Sequence, residues 1–371
     1  MKARLGAVLF GIGVLCLVLA AGLAFHVAPA VTKLPHDLTL CTSAQQKDCL
    51  RPAVVEAANA RFVQVKGDAD PPVAIRTGTL RSTTEVSPRP DLTRSLPAGL
   101  RESAVVWNVF GTVDWVESGD MIQQSVTEVA IDRVSGAAAD WEGQSLQDAG
   151  PDAPSKVDFS GQLYKFPFHT EKRTYQYFDA ELRTALPIDY QATEKLRGVE
   201  VYRFQQVIGE RPMNAPASQV NALLSTFAPT ATGGRMTYRN TRTVWVEPVS
   251  GTVVRAREQR YRALVPDGGA PTVLLDGTFA FTDATEANSV ASAKENRSSI
   301  LLISRYLPIG LAVLGLLALL GGLLLIRSRA RAGAAPRSDP APAEPDDAEP
   351  EVEAPDTVTA SGGRKRPGGR A

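Results

Sequence analysis

The chain has 371 residues, and its 40 basic side chains balance its 40 acidic ones. Zero net charge removes any whole-chain argument for a nucleic-acid partner. Three cysteines without a second Cys pair, and only His36 near two of them, do not make a zinc site, so no metal or cofactor is expected.

Leu5 to Phe25 carry no charge, and at ~1.5 Å per residue the run crosses a hydrocarbon core of about 30 Å. Residues 1–4 contribute Lys2 and Arg4 as a basic flank. The run reads as an uncleaved transmembrane helix over 5–26. It is long for a signal-peptide core, and Pro29 interrupts the small-residue stretch Ala28-Pro29-Ala30. Cys16 lies inside it. Cys41 and Cys49 bound the polar loop CTSAQQKDC. A disulfide there closes about nine residues, contributes ~2.6 kcal/mol in the chain-entropy model, and places the segment outside the cytoplasm. Two free thiols are the alternative.

Residues 27–304 read as an extracytoplasmic, mainly β (β-rich α+β) region with antiparallel sheets. Ala104 to Val116 put Val105, Trp107, Val109, Val113 and Trp115 on one face at period two, with Gly111 as a bulge or bend. Gln123 to Ile131 continue as strand and run into the turn Asp132-Arg133-Val134-Ser135-Gly136. Ala139 to Pro154 read as a polar loop. Further strands are expected over Val199–Val207, Met236–Val246, Val253–Leu264 and Val273–Thr282. A Pro- and Gly-interrupted connector with one short helix near Ser218–Phe227 separates the first two. The turn signal recurs at Glu247-Pro248-Val249-Ser250-Gly251, 115 residues on, with Ser135/Ser250 and Gly136/Gly251 in register. The two copies suggest related halves, about 27–208 and 209–304. The alternative is one common hairpin type occurring twice.

Between the turns, Leu163 to Asp179 (LYKFPFHTEKRTYQYFD) concentrates rings beside charges. Tyr175 and Tyr177 share one strand face and Phe178 takes the other. One reading is a ligand wall, with Phe166, Phe168, Tyr175, Tyr177 and Phe178 against an apolar ligand and Glu171, Lys172 and Asp179 on its polar head. The other is a strand whose rings fill the core. His169 is expected as a solvated strand histidine. With no G-x-S-x-G, H-E-x-x-H or phosphate loop, no catalytic residue is expected. Residues 305–326 form the second expected transmembrane helix, LPIGLAVLGLLALLGGLLLI being its apolar part. Gly310, Gly315, Gly321 and Gly322 are candidates for close helix packing. Lys2, Arg4, Arg327, Arg329 and Arg331 place both termini in the cytoplasm by the positive-inside rule. Residues 327–371 are too poor in large apolar side chains to fold and read as a disordered cytoplasmic tail.

Pro167-Phe168, Thr170-Glu171-Lys172 and Tyr175-Gln176-Tyr177-Phe178-Asp179, with Asp132-Arg133-Val134-Ser135-Gly136 before and Val201-Tyr202-Arg203-Phe204 after, resemble the actinobacterial porin PorA-like family. The resemblance runs from Leu5 to about Ile326. It implies a domain of unknown function between two membrane helices. The family includes a mycobacterial polar growth factor associated with a mycolate-lipid exporter. Expected partners are therefore the cytoplasmic membrane, an envelope lipid or lipoglycan, and a membrane transporter or envelope protein. A non-enzymatic lipid-binding or lipid-sensing role follows from the resemblance. The alternatives are an envelope assembly protein acting through protein contacts and, more remotely, a porin.

Overall fold

The computed structural model describes residues 2–36, 39–40, 49–67, 71–148 and 154–332. The first apolar run forms α1 (Lys2–Gly22), which passes through a π-helical turn (Leu23–Val27) into α2 (Ala28–Val31). A short parallel pair follows, β1 (Thr39–Leu40) and β2 (Cys49–Leu50). Cys41 lies outside the described residues, and with it the Cys41–Cys49 disulfide. The tail beyond Ala332 also lies outside them.

Twelve strands then build one sheet. They are β3 (Ala53–Val65), β4 (Val73–Pro88), β5 (Ala104–Trp115), β6 (Asp120–Asp132), β7 (Ser145–Asp148), β8 (Ser155–Lys156), β9 (Tyr175–Asp179), β10 (Thr184–Leu196), β11 (Val199–Pro212), β12 (Gly234–Glu247), β13 (Thr252–Pro266) and β14 (Thr272–Phe281). Short α3 (Pro90–Ser95) separates β4 from β5, and α4 (Ala217–Phe227) separates β11 from β12, within a residue of the helix read from sequence. The order is β8-β7-β6-β5-β4-β3-β14-β13-β12-β11-β10-β9, antiparallel throughout. Two six-strand meanders thus meet where β14 pairs with β3. The sequence reading allowed several sheets. The structure has one because Leu275 and Asp276 pair with Phe62 and Arg61 across that seam.

The sheet also closes on its other side. Ala138 bridges to Ile131 of β6, Ala137 to Gln162, and Gln162 to Tyr177 of β9. The amide of Gln162 donates to the Gln176 carbonyl at 2.7 Å, and the amide of Phe178 donates to the Gln162 carbonyl at 2.8 Å. Those bonds satisfy edge groups that a curled open sheet leaves exposed.

Alternation decides what the closed sheet presents on each side. Along β12, Tyr238, Asn240, Arg242, Val244 and Val246 are buried, and Arg239, Thr241 and Thr243 face out. The outer surface is charged: Arg61, Asp189, Lys195, Glu200, Arg239 and Arg257 are exposed, and Arg81 pairs with Glu56 at 2.7 Å. Inside lie the apolar clusters, one around Val105, Trp107, Val129, Ile131 and Phe178, another around Phe166, Tyr175, Phe204 and Val244. α4 covers one end through Leu223 and Leu224 against Met236, Leu264 and Leu274.

After β14, α5 (Asp283–Leu301) starts with Thr282 capping the Thr285 amide and continues through a second π-helical turn (Leu302–Tyr306) into α6 (Leu307–Ala332). Arg4–Val31 and Asp283–Arg327 are each long and apolar enough to cross a membrane. They pack on each other through paired glycines. A Cβ on Gly13 would sit 2.7 Å from the Gly315 carbonyl, and one on Gly322 would sit 2.7 Å from the Gly6 carbonyl. Gly315 and Gly322 take the packing role expected of them, whereas Gly310 and Gly321 face open space.

Three local readings change. His169 is exposed but lies in a turn at φ 56, not in a strand, because the chain reverses there to reach Thr170. The 139–154 loop contains β7, which pairs with β6. Gly111 sits inside a continuous β5, and the irregularity falls at Val113/Asp114. The boundary drawn near 208/209 falls inside β11, and the one near 304/305 falls inside the π-helical turn.

Candidate functional site

The two repeated turns are built alike. The Asp132 carboxylate accepts from the Ser135 amide and hydroxyl, both at 2.7 Å, and from the Val134 amide at 3.2 Å. The Glu247 carboxylate accepts from the Ser250 amide at 2.8 Å, its hydroxyl at 2.7 Å and the Val249 amide at 3.0 Å. Gly136 and Gly251 close the turns at φ 67 and 70, a backbone region that favours glycine.

One peptide, Gln162 to Thr170, grips both turns. Gln162 Nε2 donates to the Ser135 carbonyl, and the Phe168 amide donates to the Val134 carbonyl. The amides of Phe166, His169 and Thr170 donate to the carbonyls of Gly251, Val249 and Pro248. The approach is close: a Cβ on Gly251 would meet the Phe166 carbonyl at 2.1 Å. Lys165 sits in this clasp. Its Nζ donates to the carbonyls of Phe166 and Ser250 and lies 3.8 Å from the centre of the Phe168 ring. Burial pushes Lys165 down to about 7, against the pull of nearby Glu247.

Lys165 lines a cavity of about 990 Å³ inside the closed sheet. Its apolar wall includes Trp107, Phe159, Leu163, Phe178 and Phe279. α5 supplies a polar wall through Asn288, Ser289, Ser292 and Asn296. The lining continues to Ala30 and Val31 at the end of α2 and to Ile300 and Ile303 at the start of the second apolar stretch. The cavity therefore reaches the level where both apolar helices leave the barrel.

A buried charge cluster forms part of the lining. Arg242 Nε donates to Glu258 Oε1 at 2.7 Å, Nη1 to Gln206 Oε1 at 2.6 Å, and Nη2 to Asp179 Oδ2 at 3.3 Å. Arg260 Nε donates to Glu258 Oε2 at 2.6 Å, and the Tyr238 hydroxyl donates to Asp179 at 3.0 Å. Burial opposes both charges of the Arg242–Glu258 pair. The mutual attraction wins, holding Glu258 well below and Arg242 well above the ordinary range.

The residues picked from the aromatic block divide into four groups. Phe168, Tyr177 and Phe178 line the cavity. Asp179 lies behind it in the charge cluster, fully buried. Phe166 and Tyr175 pack in the interior, Phe166 stacking on Phe204 with centroids 4.9 Å apart. Glu171 and Lys172 are exposed; Glu171 pairs with Arg173, and Lys172 lies over the Tyr202 ring. The sequence reading missed Lys165, Arg242, Glu258 and Arg260. The signal was present in phase: Arg242 stands two residues before Val244 and four before Val246, on the face that alternation turns inward.

Comparison with known proteins agrees with this architecture. The family described as porin PorA matches residues 5–324, both apolar helices and the barrel between them. A porin PorA from Corynebacterium resistens is 23% identical over 90% of this chain and 98% of its own length. A porin PorA from Corynebacterium amycolatum is 24% identical over 58% of this chain and 68% of its own.

Proposed function

For a chain that belongs to the porin PorA family, and is on that ground a membrane protein of the cell envelope, we propose a non-enzymatic role in binding an envelope lipid or lipoglycan. In this reading α1 and α6 span the cytoplasmic membrane with both termini inside. The barrel stands on the outer face and works beside a transporter. The observation that carries it is the cavity. Its volume fits the ~300–1,000 Å³ of small-ligand sites, its wall is largely aromatic and aliphatic, and its lining runs down to Ile300 and Ile303. An amphiphile leaving the bilayer enters there without crossing water.

The relatives' name implies a channel. Strands that face lipid need an apolar outer band, whereas Asp189, Lys195, Glu200, Arg239 and Arg257 stand exposed on the outside of these strands. That outer face suits an aqueous compartment, with the two helices as the membrane part.

The test is mass spectrometry of lipids retained by the full chain after mild extraction, beside Ser292→Trp, which puts an indole into the cavity from α5. The expected result is a defined lipid on the parent chain and its loss from the variant at unchanged Tm. A parent chain free of lipid, or one that gives discrete conductance steps in planar bilayers, sinks the reading.

A further inference from the structure

Of the cations lining the cavity, beside Lys33 and Arg51 at its rim segments, Lys165 lies in the clasp and Arg242 and Arg260 lie on β12 and β13. Two carboxylates answer them. Glu258 is shared by both arginines, and Asp179 takes the far side of Arg242 together with the Tyr238 hydroxyl. Nothing among the described residues does the same for Lys165. Its ammonium has two carbonyls and a ring face. The carboxylate that attracts it, Glu247, is already held by Arg297 at 3.2 Å and by the groups of its own turn. The other cavity carboxylate, Glu295 on α5, makes an interaction of its own. Lys165 thus has no carboxylate of its own at bonding distance among the described residues, and in a low-dielectric interior an arriving anion would hold it charged. Arg260 adds to the demand. It spends its Nε on Glu258 while its side chain remains about a third exposed, at 32%. Lys33, at the membrane-side end of the cavity, is of the same sign.

We infer that the cavity's ligand is an amphiphile with an anionic head, a phosphate, sulfate or carboxylate, held by Lys165 and Arg260 with its chain along Trp107, Phe159, Leu163 and Phe178. The inference rests on the lipid-binding reading above and narrows it. A neutral sugar head offers hydroxyls to the arginines but leaves the lysine uncompensated. An anionic head supplies the missing charge, and charge-assisted bonds to it are about twice as strong as neutral ones.

The experiment uses the full chain in phosphatidylcholine nanodiscs and two photo-crosslinking probes, a diazirine-bearing alkyl phosphate and the matched alkyl maltoside. Peptide mass spectrometry locates the crosslinks. The expected result is labelling of cavity peptides by the phosphate probe at about tenfold lower concentration than by the maltoside, the factor that one hydrogen bond to a charged group supplies. Lys165→Met brings the two probes to parity and Lys165→Arg keeps the preference. If the methionine variant fails to fold, the parent's preference and its retention in the arginine variant still decide. Equal labelling of the parent by both probes overturns the anionic head and leaves the lipid reading standing. No cavity labelling by either probe overturns both. Protection by inorganic phosphate at the concentration where the alkyl phosphate itself half-saturates marks an anion site that ignores the chain, and overturns the amphiphile.

Discussion

The two turns, 132–136 and 247–251, share a fold and differ in what they hold. Asp132 is half-buried, and its carboxylate serves its own turn. The neighbouring Arg133 reaches out instead: Nε donates to the Leu34 carbonyl at 2.5 Å, and the Leu34 amide donates back to the Arg133 carbonyl at 2.8 Å. Leu34 lies three residues past the end of α2. Glu247 is fully buried and adds Arg297 of α5 to its turn contacts. Each turn is therefore tied to one of the two long helical stretches, the first by neutral acceptors and the second by an ion pair whose carboxylate is buried. One clasp peptide, Gln162–Thr170, joins the pair. Similar sequences thus stand under one clasp and hold different helices, the first through Leu34 and the second through Arg297.

That asymmetry can be broken. The largest effect is expected from Glu247→Ala, which leaves Arg297 and two turn amides without their acceptor. Losing one partner of a buried pair costs about 3–5 kcal/mol, and the lower end applies because the Arg297 side chain is 36% exposed and can turn to water. Urea unfolding of the detergent-solubilised chain measures it. A double cycle with Arg297→Ala should return a coupling well above zero; additive losses would mean the turn bonds alone matter.

Next comes the glycine comparison. Gly251→Ala drives a methyl into the Phe166 carbonyl and should cost about 3 kcal/mol in overpacking and strain. Gly136→Ala meets the Lys165 carbonyl only at 3.1 Å and should cost about 1–2 kcal/mol, the ordinary penalty of the left-handed region. Equal losses in thermal melts would show that the clasp presses both turns alike.

Asp132→Ala should be milder than Glu247→Ala, about 1–2 kcal/mol for lost turn hydrogen bonds. Its half-buried site lets water replace them. Were it to match Glu247→Ala in the same urea series, the helix tie would not be what separates the turns.

The last expected effect is a slope rather than a single loss. Lys165 titrates near 7 in the folded chain against an ordinary 10.5. Between those values the unfolded chain binds the extra proton, so this group makes stability rise with pH from about 7 to about 10.5 and adds no slope below 7. Lys165→Met should flatten that rise in Tm measured across the range. An unchanged slope would place the lysine in water.

Much of this was readable from residues. The apolar runs gave both helices, and Val105, Trp107 and Val109 gave β5 its inward face. The paired turns carried their Ser and Gly in register. β3, β4 and β10 were not read. β4 is half-covered on both faces almost throughout, which erases a period-two signal. Seam and closure were also hidden, since the β3–β14 pairing and the Gln162 bridges join segments far apart in sequence. The cavity charges looked like surface charges because Arg242 faces Glu258 only once β12 and β13 are in register. Within the aromatic block, composition could not separate Phe166, which is interior filling, from Phe168, which faces the cavity.

The seam between β3 and β14 also fixes when the protein can become itself. β3 is among the first strands to leave the ribosome and β14 is the last, so the most distant pairing in the sheet waits for the end of the meander. Until Thr272–Phe281 is delivered, ten or more strands stand with an unfilled edge. α5 follows at once, at Asp283. Closure of the barrel and arrival of the second apolar helix are therefore consecutive events, and a chain stopped before residue 272 has its first apolar helix but no chamber.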